Sequence, residues 1–169
     1  LKDGGHFEKS PMYHAIILED LLDIINITGD QKNKEIIGLR NELENYIIQM
    51  LNWFFLMTYP KDQLSFFNDT TNGIAPKFSE ILSYAKRLGI KFDLPKSQNF
   101  KINYLKESGF IIVTDKLFKI ILDVGSIGPN YIPGHAHADT LSFEMCFKNE
   151  KFIVNSGIST YQISKQRLY

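Results

Sequence analysis

The chain has 169 residues, 44% hydrophobic and 22% charged, which suits one cored domain or parts of two and excludes a disordered polymer. Basic and acidic residues balance at 19 each, so no strongly basic field points to nucleic acid. A single cysteine, Cys146, excludes an internal disulfide framework and a cysteine-rich zinc site, and leaves the redox compartment open.

From Ser10 to about Tyr84 the hydrophobic spacing is helical. In "SPMYHAIILEDLLDIINITG" Ser10 suits an N-cap and Pro11 the first helical position. Ile17, Leu18, Leu21, Leu22 and Ile25 form the apolar face, and Gly29 stands just past the end. A second helix is predicted from about Lys34 to Thr58, its stripe formed by Ile36, Leu39, Leu43, Tyr46, Ile47, Met50 and Phe54. The run from Ile47 to Met57 is too short and mixed to span a bilayer. A third helix is predicted from about Ala75 to Leu88, with Pro76 near its start and Gly89 as its C-terminal cap.

After Gly89 the period changes. "FKINYLKESGFIIVTDKLFKIILDVG" alternates in short runs separated by turns, the pattern of an antiparallel meander. A loop rich in Gly and Pro leads to "GHAHADTLSF" and a strand predicted from about Ala138 to Phe147, with further strands over "FIVNSG" and "STYQI". Helices followed by strands indicate an α+β chain: a helical part over 1–92 and an antiparallel sheet part over 93–169.

Two stretches carry candidate chemistry. If "GHAHADTLSF" is extended, His135, His137 and Asp139 share one face, because alternate residues of a strand point the same way. Such a face suits a metal pair with a supporting carboxylate, or a catalytic histidine oriented by a neighbour. It equally suits a solvated polar junction, and two histidines fall short of the ligand count zinc needs. In "DGGHFEKSPMYH", Glu8 precedes the capping serine, and Tyr13 and His14 occupy the first helical turn. A phenol there suits proton transfer, and both rings equally suit packing against a neighbouring helix. "FFNDTTNGIAPKFSEILSYAKRLGI" reads as a structural connection into a capped helix, and Trp53, Phe54 and Phe55 read as core.

Taken in order, "DGGHFEKSPMYH", "NDTTNGIAPKFSEILSYAKRLG", "PGHAHADTLSFEM" and "FIVNSGISTY" resemble the heparinase II/III family of polysaccharide lyases and its alginate-lyase relatives. The resemblance implies the last helices of an incomplete α/α toroid followed by part of an antiparallel β-sandwich. It implies β-elimination next to a uronic acid in an acidic polysaccharide, with Tyr13 and His135 as the catalytic residues. It implies a structural zinc held by His137, with Asn155 standing where the family's ligand aspartate is expected. A residue that neutralises the uronate carboxylate and a further zinc-ligand histidine are expected outside Leu1–Tyr169. The chain, beginning at Leu1 and stopping at "SKQRLY", therefore reads as an internal fragment, with little activity expected of it alone. A periplasmic or secreted setting follows from the resemblance, whereas no sequence signal addresses the glycan or the oligomeric state. The rival reading is a non-catalytic or differently specific relative that binds or processes a bacterial surface polysaccharide.

Overall fold

The computed structural model describes residues 1–95, 99–129, 131, 134–158, 160–162 and 165. Helix α1, Pro11–Ile27, begins where expected: the Ser10 side chain accepts from the Tyr13 backbone N–H, and Pro11 occupies the first turn. Its buried residues Met12, Ala15, Leu18, Leu22 and Ile25 recur at three- and four-residue intervals and so form one face. Helix α2, Lys34–Met57, is capped by the Asn33 side chain, which accepts from Glu35 N at 2.8 Å. The predicted apolar stripe of α2 is covered only in its second half. Ile47, Met50 and Phe54 are buried, whereas Leu39 and Tyr46 are 61% and 51% exposed.

Helix α3, Phe78–Arg87, starts about three residues later than predicted. Pro76 disfavours helical geometry at Ala75, and Glu80 instead reaches back to accept from Lys77 N at 2.8 Å. Gly89 ends the helix at φ +84, with Gly89 N donating to Lys86 O and Ile90 N to Ala85 O. This paired closure needs a residue that tolerates a positive φ, and it drives Ile90 into the core.

A short hairpin, β1 (Thr58–Tyr59) with β2 (Gln63–Leu64), leads away from α2. The main sheet is an antiparallel meander of five strands in chain order. These are β3 (Phe100–Leu105), β4 (Phe110–Asp115), β5 (Phe118–Asp123), β6 (Phe143–Phe147) and β7 (Glu150–Ile153). Three predicted strands differ. The strand foreseen over "FIVNSG" ends at Ile153, and Val154 to Gly157 lie in no strand. The strand foreseen from Ala138 begins only at Phe143, because Leu141 adopts φ +69 and Ser142 N turns back onto Asp139 O at 2.8 Å. Of "STYQI", residues Thr160 to Gln162 lie in no strand, and Ser159 and Ile163 lie outside the described residues.

One sheet face, with Leu105, Phe110, Ile112, Ile121 and Cys146, packs around Trp53, Met57, Tyr59 and Phe67. Cross-strand pairing puts Ile102, Tyr104, Ile111, Val113, Ile120, Leu122 and Met145 together on the other face. Apolar residues on both faces are the composition of a sheet covered on both sides. The helical core gathers the buried faces of α1 and α3 around Ile47, Met50, Leu51 and Phe54 of α2. Helix α2 thus supplies both cores from adjoining faces of its last turns. No described helix is long and apolar enough to cross a membrane.

Residues Leu1–Ser10 form a strap across α2. Gly5 lies so close to Trp53 that a Cβ at residue 5 would stand 2.6 Å from the indole Nε1. His14 is fully buried beneath the strap; its Nδ1 accepts from His6 N at 3.2 Å and its Nε2 donates to Met50 O at 3.0 Å. Burial holds the His14 imidazole far below its ordinary value of 6.5, at about 3, so the folded protein keeps it neutral.

Two outcomes follow from this packing. The unfolded chain protonates His14 below pH 6.5 while the folded chain does not until about 3. Its contribution to stability is complete above that window and is lost as pH falls through it, at up to about 1.4 kcal/mol per pH unit. Urea midpoints measured from pH 7 to 4.5 should fall steeply, and His14→Gln should flatten the decline. Gly5→Ala should cost about 1–3 kcal/mol by overpacking the indole, read as a lowered melting temperature.

Candidate functional site

Four segments converge at one end of α1: the strap with the first helical turn, the loop after β2, the histidine loop before β6, and the chain after β7. Positive φ values at Lys9 and Asn68 bend the first two toward each other, and Asn68 Nδ2 donates to Lys9 O at 3.1 Å. Asn68 Oδ1 accepts from His137 N at 3.3 Å, and Asp69 N donates to His135 O at 3.1 Å. The histidine loop is therefore paired to the Asn68–Asp69 loop instead of to a neighbouring strand.

Asp139 anchors this arrangement. It is 5% exposed; its Oδ2 accepts from Asn68 N at 2.5 Å and its Oδ1 from Asn155 Nδ2 at 2.8 Å. A buried carboxylate that accepts from two donors is fixed in place, whereas an unpaired one is strongly disfavoured.

Tyr13 and His135 meet, as the resemblance implied, although on loop geometry and not on a strand face. Their rings stack with centroids 4.2 Å apart and planes inclined by 21°. The Tyr13 hydroxyl donates to Asp69 Oδ2 at 3.5 Å, and the Tyr161 hydroxyl donates to Asp69 Oδ1. Partial burial, then the negative charges of Asp69 and Glu8, hold the Tyr13 phenol above its ordinary value. Like any tyrosine the phenol is protonated at neutral pH and can donate a proton, and the upward shift makes it a weaker acid than an unperturbed tyrosine. On its other side His135 presents Nδ1 3.1 Å from Glu8 Oε1.

His137 Nε2 faces Asp69 Oδ1 at 4.0 Å, and its Nδ1 is buried without a hydrogen-bond partner. Of the two residues that the resemblance assigns to zinc, Asn155 is committed to other partners. Asn155 is occupied at both amide atoms, donating to Asp139 and accepting from Gly157 N at 2.8 Å. Among the described residues no three His, Cys, Asp or Glu side chains gather to hold a metal ion. No chemical step is therefore routed through a metal.

Sequence reasoning singled out Tyr13, His135, His137 and Asp139. It missed Asp69, which lay in a stretch read as a connection, and the Asn68–Asp139 bond. No local pattern marks these, since the partners are 71 residues apart. A separate cavity of about 510 Å³ lies between α2, α3 and the sheet, lined among others by Phe55, Tyr59, Phe78, Lys101 and Lys119. None of the converging acid–base residues lines it, and geometry rather than cavity size locates the site.

Asp139→Ala should destabilise the protein by about 2–3 kcal/mol, the cost of two charge-assisted hydrogen bonds and a stranded Asn68 N–H. Asp139→Asn, which keeps an acceptor, should lose less; both are read by denaturant unfolding.

Comparison with known proteins places the chain in a family. Residues 1–100 match the heparinase II/III N-terminus, and residues 97–169 match the heparinase II/III-like C-terminal domain. A solved heparinase III structure with methylated lysines superposes over 99% of this chain at a TM-score of 0.68, with 18% sequence identity. At that identity the likeness concerns the fold, and this chain spans 28% of that protein's length. No curated protein shows significant similarity to the chain. The two family matches, which between them span residues 1–169, make the chain a member of the heparinase II/III family.

Proposed function

We propose that the chain carries part of the catalytic centre of a lyase that cleaves uronate-containing acidic polysaccharides by β-elimination. The observation that carries the reading is the stacked pair of Tyr13 and His135, one ring supported by Asp69 and the other by Glu8. Family membership supports lyase chemistry in general.

Elimination requires a base to take the proton from C5 of the uronate and an acid to protonate the departing glycosidic oxygen. The electron pair of the broken C–H bond becomes the C4–C5 double bond as the C4–O bond breaks. His135 acts as base, with an imidazole nitrogen free to accept the proton. Tyr13 acts as acid, because its phenol carries a proton at neutral pH. The carboxylate-neutralising group is supplied from outside this chain. It spreads the charge that develops on the enolate-like intermediate.

The test uses the full-length protein that contains this chain. Incubation with heparan, alginate or similar polymers should release unsaturated uronate, detected by its ultraviolet absorbance. Tyr13→Phe and His135→Ala should each lower turnover by about 10²–10⁴-fold, the usual share of one positioned acid or base. Absence of product from every acidic glycan sinks the lyase reading. Glycan affinity without turnover would instead favour the binding relative.

A further inference from the structure

Glu8 faces the His135 imidazole, but the elimination steps themselves assign it no proton to give or take. Its side chain is 16% exposed, with Oε1 3.1 Å from His135 Nδ1 and Oε2 3.9 Å from His6 Nδ1. The backbone on both sides of it is pinned. His6 N donates to His14 Nδ1, Lys9 N donates to His6 O at 3.0 Å, and Lys9 Nζ donates to Ser126 O at 2.9 Å. Lys9 also turns at φ +58, and Ser10 caps α1 directly after it. A carboxylate on so constrained a segment has little freedom to leave the imidazole it faces.

His135 is constrained from the opposite side. Tyr13 covers one ring face, and the backbone carbonyl is held by Asp69 N. Asp69 faces Tyr13, Tyr161 and His137, so among the described contacts Glu8 is the acid that meets His135 Nδ1. The 3.1 Å approach of Oε1 is not aligned as a hydrogen bond, and Nδ1 is buried without any hydrogen-bond partner. Contacts of this kind commonly straighten when substrate closes the site.

We propose that Glu8 is a positioning residue of this centre, holding His135 in the tautomer with hydrogen on Nδ1 and leaving Nε2 to accept the substrate proton. The assignment rests on the lyase reading for the reaction it serves, but not for the tautomer it imposes. A carboxylate behind an imidazole also stabilises the cation formed once the proton has been taken. Glu8 itself neither takes a proton from substrate nor touches it.

The experiment compares wild type, Glu8→Gln and Glu8→Asp in the full-length protein. Glu8→Gln should lower kcat on the order of 10²-fold with KM little changed, and Glu8→Asp should recover part of the loss. Histidine-selective isotope labelling, with His135 assigned through His135→Gln, reads the tautomer without substrate. Wild type should show hydrogen on Nδ1, and Glu8→Gln should lose that preference. Wild-type kcat in Glu8→Gln, or hydrogen on Nε2 in the wild-type His135 ring, overturns the assignment. If Glu8→Gln does not fold, the wild-type tautomer and Glu8→Asp decide. A wild-type protein that turns over no acidic glycan overturns the lyase reading, and the tautomer measurement still decides Glu8.

Discussion

Trp53 stands where the strap, α2 and the sheet meet. Its indole Nε1 donates to Ser108 Oγ at 2.9 Å, and that hydroxyl donates to Asp3 Oδ2 at 2.9 Å. Asp3 Oδ2 also receives Ser108 N at 2.6 Å, so a single carboxylate ties the first residues of the chain to the β3–β4 turn. All of this lies around a ring with no exposed surface. Buried polar groups of this kind cost little while fully paired and a great deal when one partner is removed. The strap can therefore lie in one place, and it is the strap that delivers Glu8, Ser10 and Tyr13 to the site.

A second tie acts on the far side of α2. Lys119 of β5 donates to the carbonyls of Phe55 and Thr58 at 3.2 and 2.6 Å, where the helix runs out of its own donors. Burial lowers its ammonium to about 7, so the amine is held by carbonyl dipoles and not by a counter-charge. The two ties clamp α2 between helices and sheet, and the loops carrying Asp69 and His135 pair with each other beside this frame. Placing reactive side chains on loops over a rigid frame lets several distant segments meet. Here the frame is rigid because each core uses a different face of the same helix.

The charges at the site follow from that convergence. Glu8, Asp69 and Asp139 come together with two imidazoles and two phenols, and each carboxylate has an assigned neighbour. Asp139 is spent on the backbone of the facing loop, which leaves Asp69 and Glu8 to bias the Tyr13–His135 pair. A single acid serving both purposes would have to move between them.

The helical period, the Ser10 cap and the Gly89 closure were readable because they depend on residues a few positions apart, and helix geometry repeats on that scale. The meander was readable for the same local reason, and Tyr13 and His135 stood out by motif. The sequence could not reveal that "GHAHADTLSF" is a loop. Its alternation satisfies the strand pattern, and only Asp139 binding a backbone N–H 71 residues away, with Leu141 at a positive φ, prevents the pairing. Local spacing thus determined most of the elements and singled out the candidate side chains. Long-range contacts between loops, invisible to any short window of sequence, decided that Asp69 and Glu8 stand beside Tyr13 and His135.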